Sequence, residues 1–241
     1  MLTGGFINRI FLTALLGGVI AGLTLAGVQY FTIIPMVLQA ETYETSGALL
    51  QSHESEGSVV AEEAWAPQDG MERTVFTFVN SAIVGIGFAF LLVACFALQK
   101  NVNWRKGILW GLGGFVAIHL APAIGLPPEL PGAAAADLDA RQQWWLLTVV
   151  LTAVGLLMLA FVPGAFKWPG ILLVVLPHVL GAPQPDSHVG LAPAELEHAF
   201  IVASLITNAI FWTVLGFVTA YLYRRFEKAQ HSRRFKSATT I

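Results

Sequence analysis

Cysteine is nearly absent from this chain. Cys95 is the only one in 241 residues, which excludes an intrachain disulfide, a CxxC redox or metal motif and thiolate-rich metal chemistry. Charge is scarce as well: 12% of the residues are charged and 56% are hydrophobic, where a soluble domain carries about 25% charged residues. The methionines after Met1 (Met36, Met71 and Met158) are scattered, which argues against a thioether path for copper. No GxxxxGK[ST] phosphate loop is present, so ATP hydrolysis by that route is excluded. His53-Glu54 continues as Ser-Glu-Gly and lacks the second histidine of HExxH, and there is no GxSxG elbow. The multi-histidine boxes of membrane di-iron enzymes need more than the six histidines available. The chain reads as no enzyme, and no nucleic-acid partner is expected.

What is present is long uncharged sequence. The expected fold is all-α, a polytopic membrane protein of about six transmembrane helices forming one transmembrane domain over residues 1–241. Span 1 covers roughly Ile10 to Ile34 and reads as a retained span, because its apolar run exceeds a signal-peptide core. Its Gly18–Gly22 pair has the small-xxx-small spacing that lets another helix approach closely. Pro35 disturbs that helix, and an acidic external loop follows over 39–72. Span 2 runs from about Thr74 to Leu98. Span 3, Gly107 to Leu126, opens on a second small pair, Gly107 and Gly111, and holds His119 and Pro122. Span 4 begins at Trp144–Trp145, an aromatic interface anchor, and ends near Val162. Between Trp168 and Pro183 about 14 apolar residues give ~21 Å of helix, against a bilayer core of ~30 Å. Span 5 is therefore expected to be short, kinked or re-entrant. Span 6 runs from about Ala199 to Leu222, and a basic tail occupies 223–241.

The charges sort by side. With both termini cytoplasmic and six crossings, only Arg73 and Arg141 of the 13 Lys and Arg residues fall outside, and only Glu227 of the 15 acids falls inside. The positive-inside rule is satisfied at every loop. Skipping span 5 would put either Lys167 or the basic tail on the wrong side.

Histidine and proline are both costly in a span, and they occur together twice. His119 opens His-Leu-Ala-Pro, and His178 follows Pro177. His119 is 13 residues past Lys106, ~20 Å along a helix, and His178 is 10 residues past Trp168, ~15 Å. Ionisable groups at membrane depth point to function, and imidazole suits first-row divalent ions. Proline withholds an N–H from the carbonyl four residues back, Ile118 for Pro122 and Leu173 for Pro177. A carbonyl so freed beside an imidazole is a cation stop or simply a kink. Glu129 is held near the mouth of span 3 by Pro127, Pro128 and Pro131. His188 and His198 lie in or beside the last external loop, with Asp186, Glu195 and Glu197. The candidate metal ligands are thus His119, His178, Glu129, His188 and His198. Asn80, Gln29, Thr207 and Asn208 are span polars that read better as glue between helices.

Six blocks resemble the CbtA family of probable cobalt transporter subunits. They are AETYE (Ala40–Glu44), WAPxDGxER (Trp65–Arg73), HLAPxxGLPPELPG (His119–Gly132), ARQxWW (Ala140–Trp145), PHxxGAPQP (Pro177–Pro185) and ASLxTNxxFW (Ala203–Trp212). The resemblance implies a multi-pass protein of the bacterial inner membrane that takes up cobalt for cobalamin synthesis. It also implies a partner, a small single-span, histidine-rich CbtB-like protein. That family is usually described with about five spans, one fewer than the count made here.

The functional expectation is a membrane permease subunit for Co²⁺ with no permanently bound cofactor. Ligand type does not separate Co²⁺ from Ni²⁺ or Zn²⁺. A non-conducting scaffold that positions a small partner membrane protein is the alternative. The partners expected are the lipid bilayer, the CbtB-like protein and, where the chain self-associates, a further copy in a homo-oligomer.

Overall fold

The computed structural model describes residues 4–52, 67–68, 70–99, 101–185 and 190–238. Every regular element among them is helical, as the long apolar runs require. The order is α1 (Gly4–Ser52), α2 (Met71–Leu98), α3 (Trp104–Phe115), a π turn (Val116–Leu120), α4 (Ala121–Gly125), α5 (Leu138–Phe161), a 3₁₀ turn (Gly164–Lys167), α6 (Pro169–Leu180) and α7 (Ala194–Ala238). Five helices are long and apolar enough to cross a membrane: Gly5–Ser46, Met71–Leu98, Trp104–Gly125, Leu138–Phe161 and Ala194–Gln230. The stretch Gly164–Leu180 is apolar but shorter. Its α6 has 12 residues, ~18 Å of helix. Pro169 starts it without wasting a hydrogen bond, and Gly181, at φ 84°, ends it in a conformation only glycine adopts freely.

The first helix departs from expectation. It carries Pro35 internally and runs on to Ser52, so 39–52 is helix where a loop starting near Gln39 was expected. The hydroxyls of Thr42, Thr45 and Ser46 bond back to the carbonyls of Gln39, Glu41 and Thr42 at 2.7, 2.9 and 2.7 Å. Ala40 is fully buried against Leu130 and Phe200, with Met36 and Val37 alongside. That packing holds a polar segment helical, and no local pattern in 39–52 announces it. Residues 53–66 and 69 of the acidic loop, with His53, and the segment holding Asp186 and His188 lie outside the described residues, while Glu72 falls in the first turn of α2.

The chain divides into two compact units. One takes the described residues of Met1–Val28, Gln68–Leu112 and Asn208–Ile241. Here glycines set the helix spacing. A methyl group on Gly18 or Gly22 would land on the backbone of α2 at Gly85–Ile86 or Ser81–Ala82, and one on Gly107 or Gly111 on the backbone of α7 at Gly216 or Trp212. Both small-residue pairs singled out in the sequence are therefore close-approach points. Phe88 packs against Trp212 at a centroid distance of 4.8 Å, and Phe96 and Trp212 are almost wholly buried. Arg9 is buried too. Its guanidinium donates to the Tyr223 hydroxyl at 3.0 Å and to Glu227 at 3.2 Å, and stands 4.4 Å from the Tyr223 ring centre. Paired and stacked in this way, a buried cation is tolerated.

The other unit takes the described residues of Gln29–Pro67 and Gly113–Thr207. Its centre is the antiparallel pair α5 and α6. Gly155 and Gly170 meet backbone to backbone, and at the other end of the contact Trp144 reaches Pro177 and His178.

Candidate functional site

Pro122 has no N–H to give the preceding turn. The backbone answers by widening: residues 116–120 form a π turn, and the Ala121 N–H reaches the carbonyl of Val116. Such bulges recur at functional sites. His119 sits in this turn, half-buried, its ring nearly parallel to that of Phe115 with centroids 6.3 Å apart.

The helix ends at Gly125, where the Trp144 indole and the Ala182 methyl leave no room for a side chain. The proline-rich stretch then forms a defined turn. The Ala133 N–H donates to the Leu130 carbonyl at 3.1 Å, with Pro131 and Gly132 between them and Gly132 at φ 75°. Proline then glycine at the two central positions is the type II pattern. Leu130, 4% exposed, plugs the turn into Ala40 and Phe200, and Leu191 N–H donates to the Gly132 carbonyl at 3.3 Å. Glu129 is displayed on this braced frame. It does not stand alone: Arg141 Nη2 lies 2.5 Å from its Oε2. Arg141 is fixed in turn by the start of α5, where Asp137 Oδ1 accepts from Ala140 N–H at 2.9 Å, a helix N-cap.

His178 lies near the end of α6. Trp144 Nε1–H donates to the Pro177 carbonyl at 3.2 Å, and the His178 ring stands edge-on to that indole at 6.0 Å. His178 Nδ1 is buried with no hydrogen-bond partner among the described residues. Trp144 is 8% exposed and Trp145 is 41% exposed. Of the pair read as an interface anchor, only Trp145 faces outward; Trp144 is a clasp.

Both histidine–proline elements thus converge on one residue. The helix carrying His119 ends against the Trp144 ring, and the helix carrying His178 is hydrogen-bonded to its nitrogen. Beside this clasp is a cavity of about 230 Å³ whose lining includes Gly125, Pro128, Glu129, Gln184, Gly190 and Glu197. Glu197, half-buried in the first turn of α7, puts a carboxylate oxygen where a side chain on Gly190 would lie. Two carboxylates and an amide at a proline-braced mouth are hard oxygen donors suited to a hydrated cation.

Among the candidates, Glu129 lines the cavity, while His119 and His178 lie outside its lining. His198 is exposed, and His188 lies outside the described residues. Among the described residues, no three His, Cys, Asp or Glu side chains are grouped to hold a metal ion. Arg141 and Trp144 had no place among the sequence candidates, and Glu197 was read only as one of the acids around the last loop. For Arg141 a signal existed: it is one of only two cations expected outside, and it follows the capping Asp137 by one helical turn. For Trp144 nothing in the sequence ties it to Pro177, 33 positions away, and nothing ties Glu197 to the cavity that Glu129 lines.

Neither curated proteins nor solved structures provide a match to this chain. The model of one family, described as probable cobalt transporter subunit (CbtA), matches residues 7–224. That span contains both histidine–proline elements, the proline-rich turn, the Trp144 clasp and the cavity, and the chain belongs to the CbtA family.

Proposed function

We propose that this chain is the permease subunit of a divalent transition-metal importer of the bacterial inner membrane, with Co²⁺ as its substrate and cobalamin synthesis as the process it serves. The observation that carries this reading is the convergence of both histidine–proline elements on Trp144 beside a cavity bearing Glu129 and Glu197. In it, the cavity is the outer vestibule, where carboxylates concentrate the cation and His198 or His188 assists. The Arg141 pairing holds Glu129 in place and offsets its charge. An arriving divalent ion competes with the guanidinium for the carboxylate. His119 and His178 then take the ion in transit as softer nitrogen donors.

The topology proposed with it has six crossings, α6 making the short one, and both termini cytoplasmic, because only that arrangement satisfies the positive-inside rule at every loop. Since the family is described as a transporter subunit, a partner completes the importer, and a small histidine-rich single-span protein fits that role.

The test is uptake of radiolabelled Co²⁺ by cells carrying His119→Ala or His178→Ala at matched membrane levels. The expected loss in each is about tenfold, equivalent to ~1.4 kcal/mol. Wild-type uptake in both variants would refute the transit role. Unlabelled Ni²⁺ and Zn²⁺ added in the same assay rank the ions that imidazole and carboxylate alone do not separate.

A further inference from the structure

We propose that α2 is the seam of a parallel homodimer, in which it meets α2 of a second copy of this chain. One face of α2 is already used, with Ser81 and Gly85 buried against the glycines of α1. The opposite face carries Asn80, Val84, Gly87, Leu91, Ala94 and Leu98, all exposed. Their intervals alternate four, three, four, three, four, which is the heptad spacing that keeps one stripe of a helix against a partner helix in a left-handed crossing. From Gly85 to Leu98 no other position of α2 is exposed, so the surface left open there centres on this stripe, flanked by half-buried positions. Leu91 is 58% exposed and Leu98 91%, and Gly87 has no atom within 4 Å of where a side chain would begin.

Asn80 decides what covers the stripe. It stands nine residues into a 28-residue apolar helix, and its carboxamide has no hydrogen-bond partner among the described residues. An unsatisfied amide facing hydrocarbon is costly. Two copies inserted the same way are related by a two-fold axis along the membrane normal, so residues near that axis meet their own counterparts. Like must then be compatible with like. The carboxamide is both donor and acceptor and pairs with itself; Gly87 and Ala94 allow the close approach; and no charge on the stripe would repel its twin.

The experiment places single cysteines along α2 in a Cys95→Ser background and oxidises native membranes. Disulfide-linked dimers are expected at positions 80, 87 and 94, and not at the exposed off-stripe controls Val75 and Val79. Equal cross-linking at all positions, or none at any, would overturn the proposal, as would a seam cross-link only to a protein of different mass. As a second readout, energy transfer between labelled copies in bilayers should show the dimer dissociation constant rising about fivefold in Asn80→Leu (~1 kcal/mol) and unchanged in Asn80→Gln. Gly87→Ile should leave the monomer folded, since its side chain meets open space, and should abolish the dimer. Dimerisation that survives both Asn80→Leu and Gly87→Ile would place the contact elsewhere.

Discussion

Trp144 does two separable things, and substitution can pull them apart. Its ring fills the space against Gly125 and Ala182, and its N–H donates to the Pro177 carbonyl, which also accepts from the Gly181 N–H at 3.1 Å. Trp144→Phe keeps most of the ring and removes the donor. Because that carbonyl keeps its second partner, the expected cost is about 1 kcal/mol. Trp144→Ala empties a buried site and should cost ~3–5 kcal/mol. Thermal unfolding of the detergent-solubilised protein measures both. On the proposed function, Trp144→Ala also lowers Co²⁺ uptake at matched expression, because it releases both histidine-bearing helix ends at once. Loss of stability with full uptake per folded molecule would make the clasp structural only. This residue also marks the limit of what the sequence disclosed. A paired tryptophan at a span boundary reads as an interface anchor, and that is true of Trp145. The partner of Trp144 is a carbonyl 33 residues away, a relation written only in the packing of α5 on α6.

At the scale of elements, the apolar runs declared the five long helices, and the glycine pairs declared two of their closest contacts. Those features are local, since spacing along a helix is enough to put Gly18 and Gly22, or Gly107 and Gly111, on one face. What was not legible depended on distant residues. Where α1 runs on past Gln39, Ala40 is buried by Leu130 and Phe200, and the π turn around His119 shows how one proline is absorbed without ending the helix. The glycines give a paired prediction. Gly22→Leu sets a large side chain against the α2 backbone, which cannot rotate away, and should cost at least ~1–3 kcal/mol. Gly27, on the same helix, has nothing within 4 Å of a new methyl. Gly27→Ala should be neutral or raise stability by ~0.5–1 kcal/mol, because alanine loses less backbone entropy on forming a helix. Comparison of the two melting temperatures checks this, and a large loss in Gly27→Ala would mean that its open face is occupied in the membrane.

For the molecule as a whole, the cation distribution and the proposed substrate bear on what drives transport. On the proposed topology the acids crowd the outside, and all but Arg73 and Arg141 of the 13 Lys and Arg residues lie on the other side. A divalent cation moving inward down a membrane potential, negative inside, gains ~4.6 kcal/mol per 100 mV for its two charges. That is enough to favour accumulation by more than about a thousandfold, so on the proposed function the potential by itself can drive import. Uptake should therefore follow the potential itself. In right-side-out vesicles from cells that make the importer, a potassium diffusion potential set with valinomycin should drive labelled Co²⁺ inward. Raising external potassium to abolish the potential should cut accumulation to the level of vesicles lacking the protein. Halving the potential to ~50 mV leaves ~2.3 kcal/mol, about a fiftyfold ceiling on accumulation. Accumulation that ignores the potential and requires added ATP would assign the energetics to another subunit, and would reduce this chain to a route whose direction something else decides.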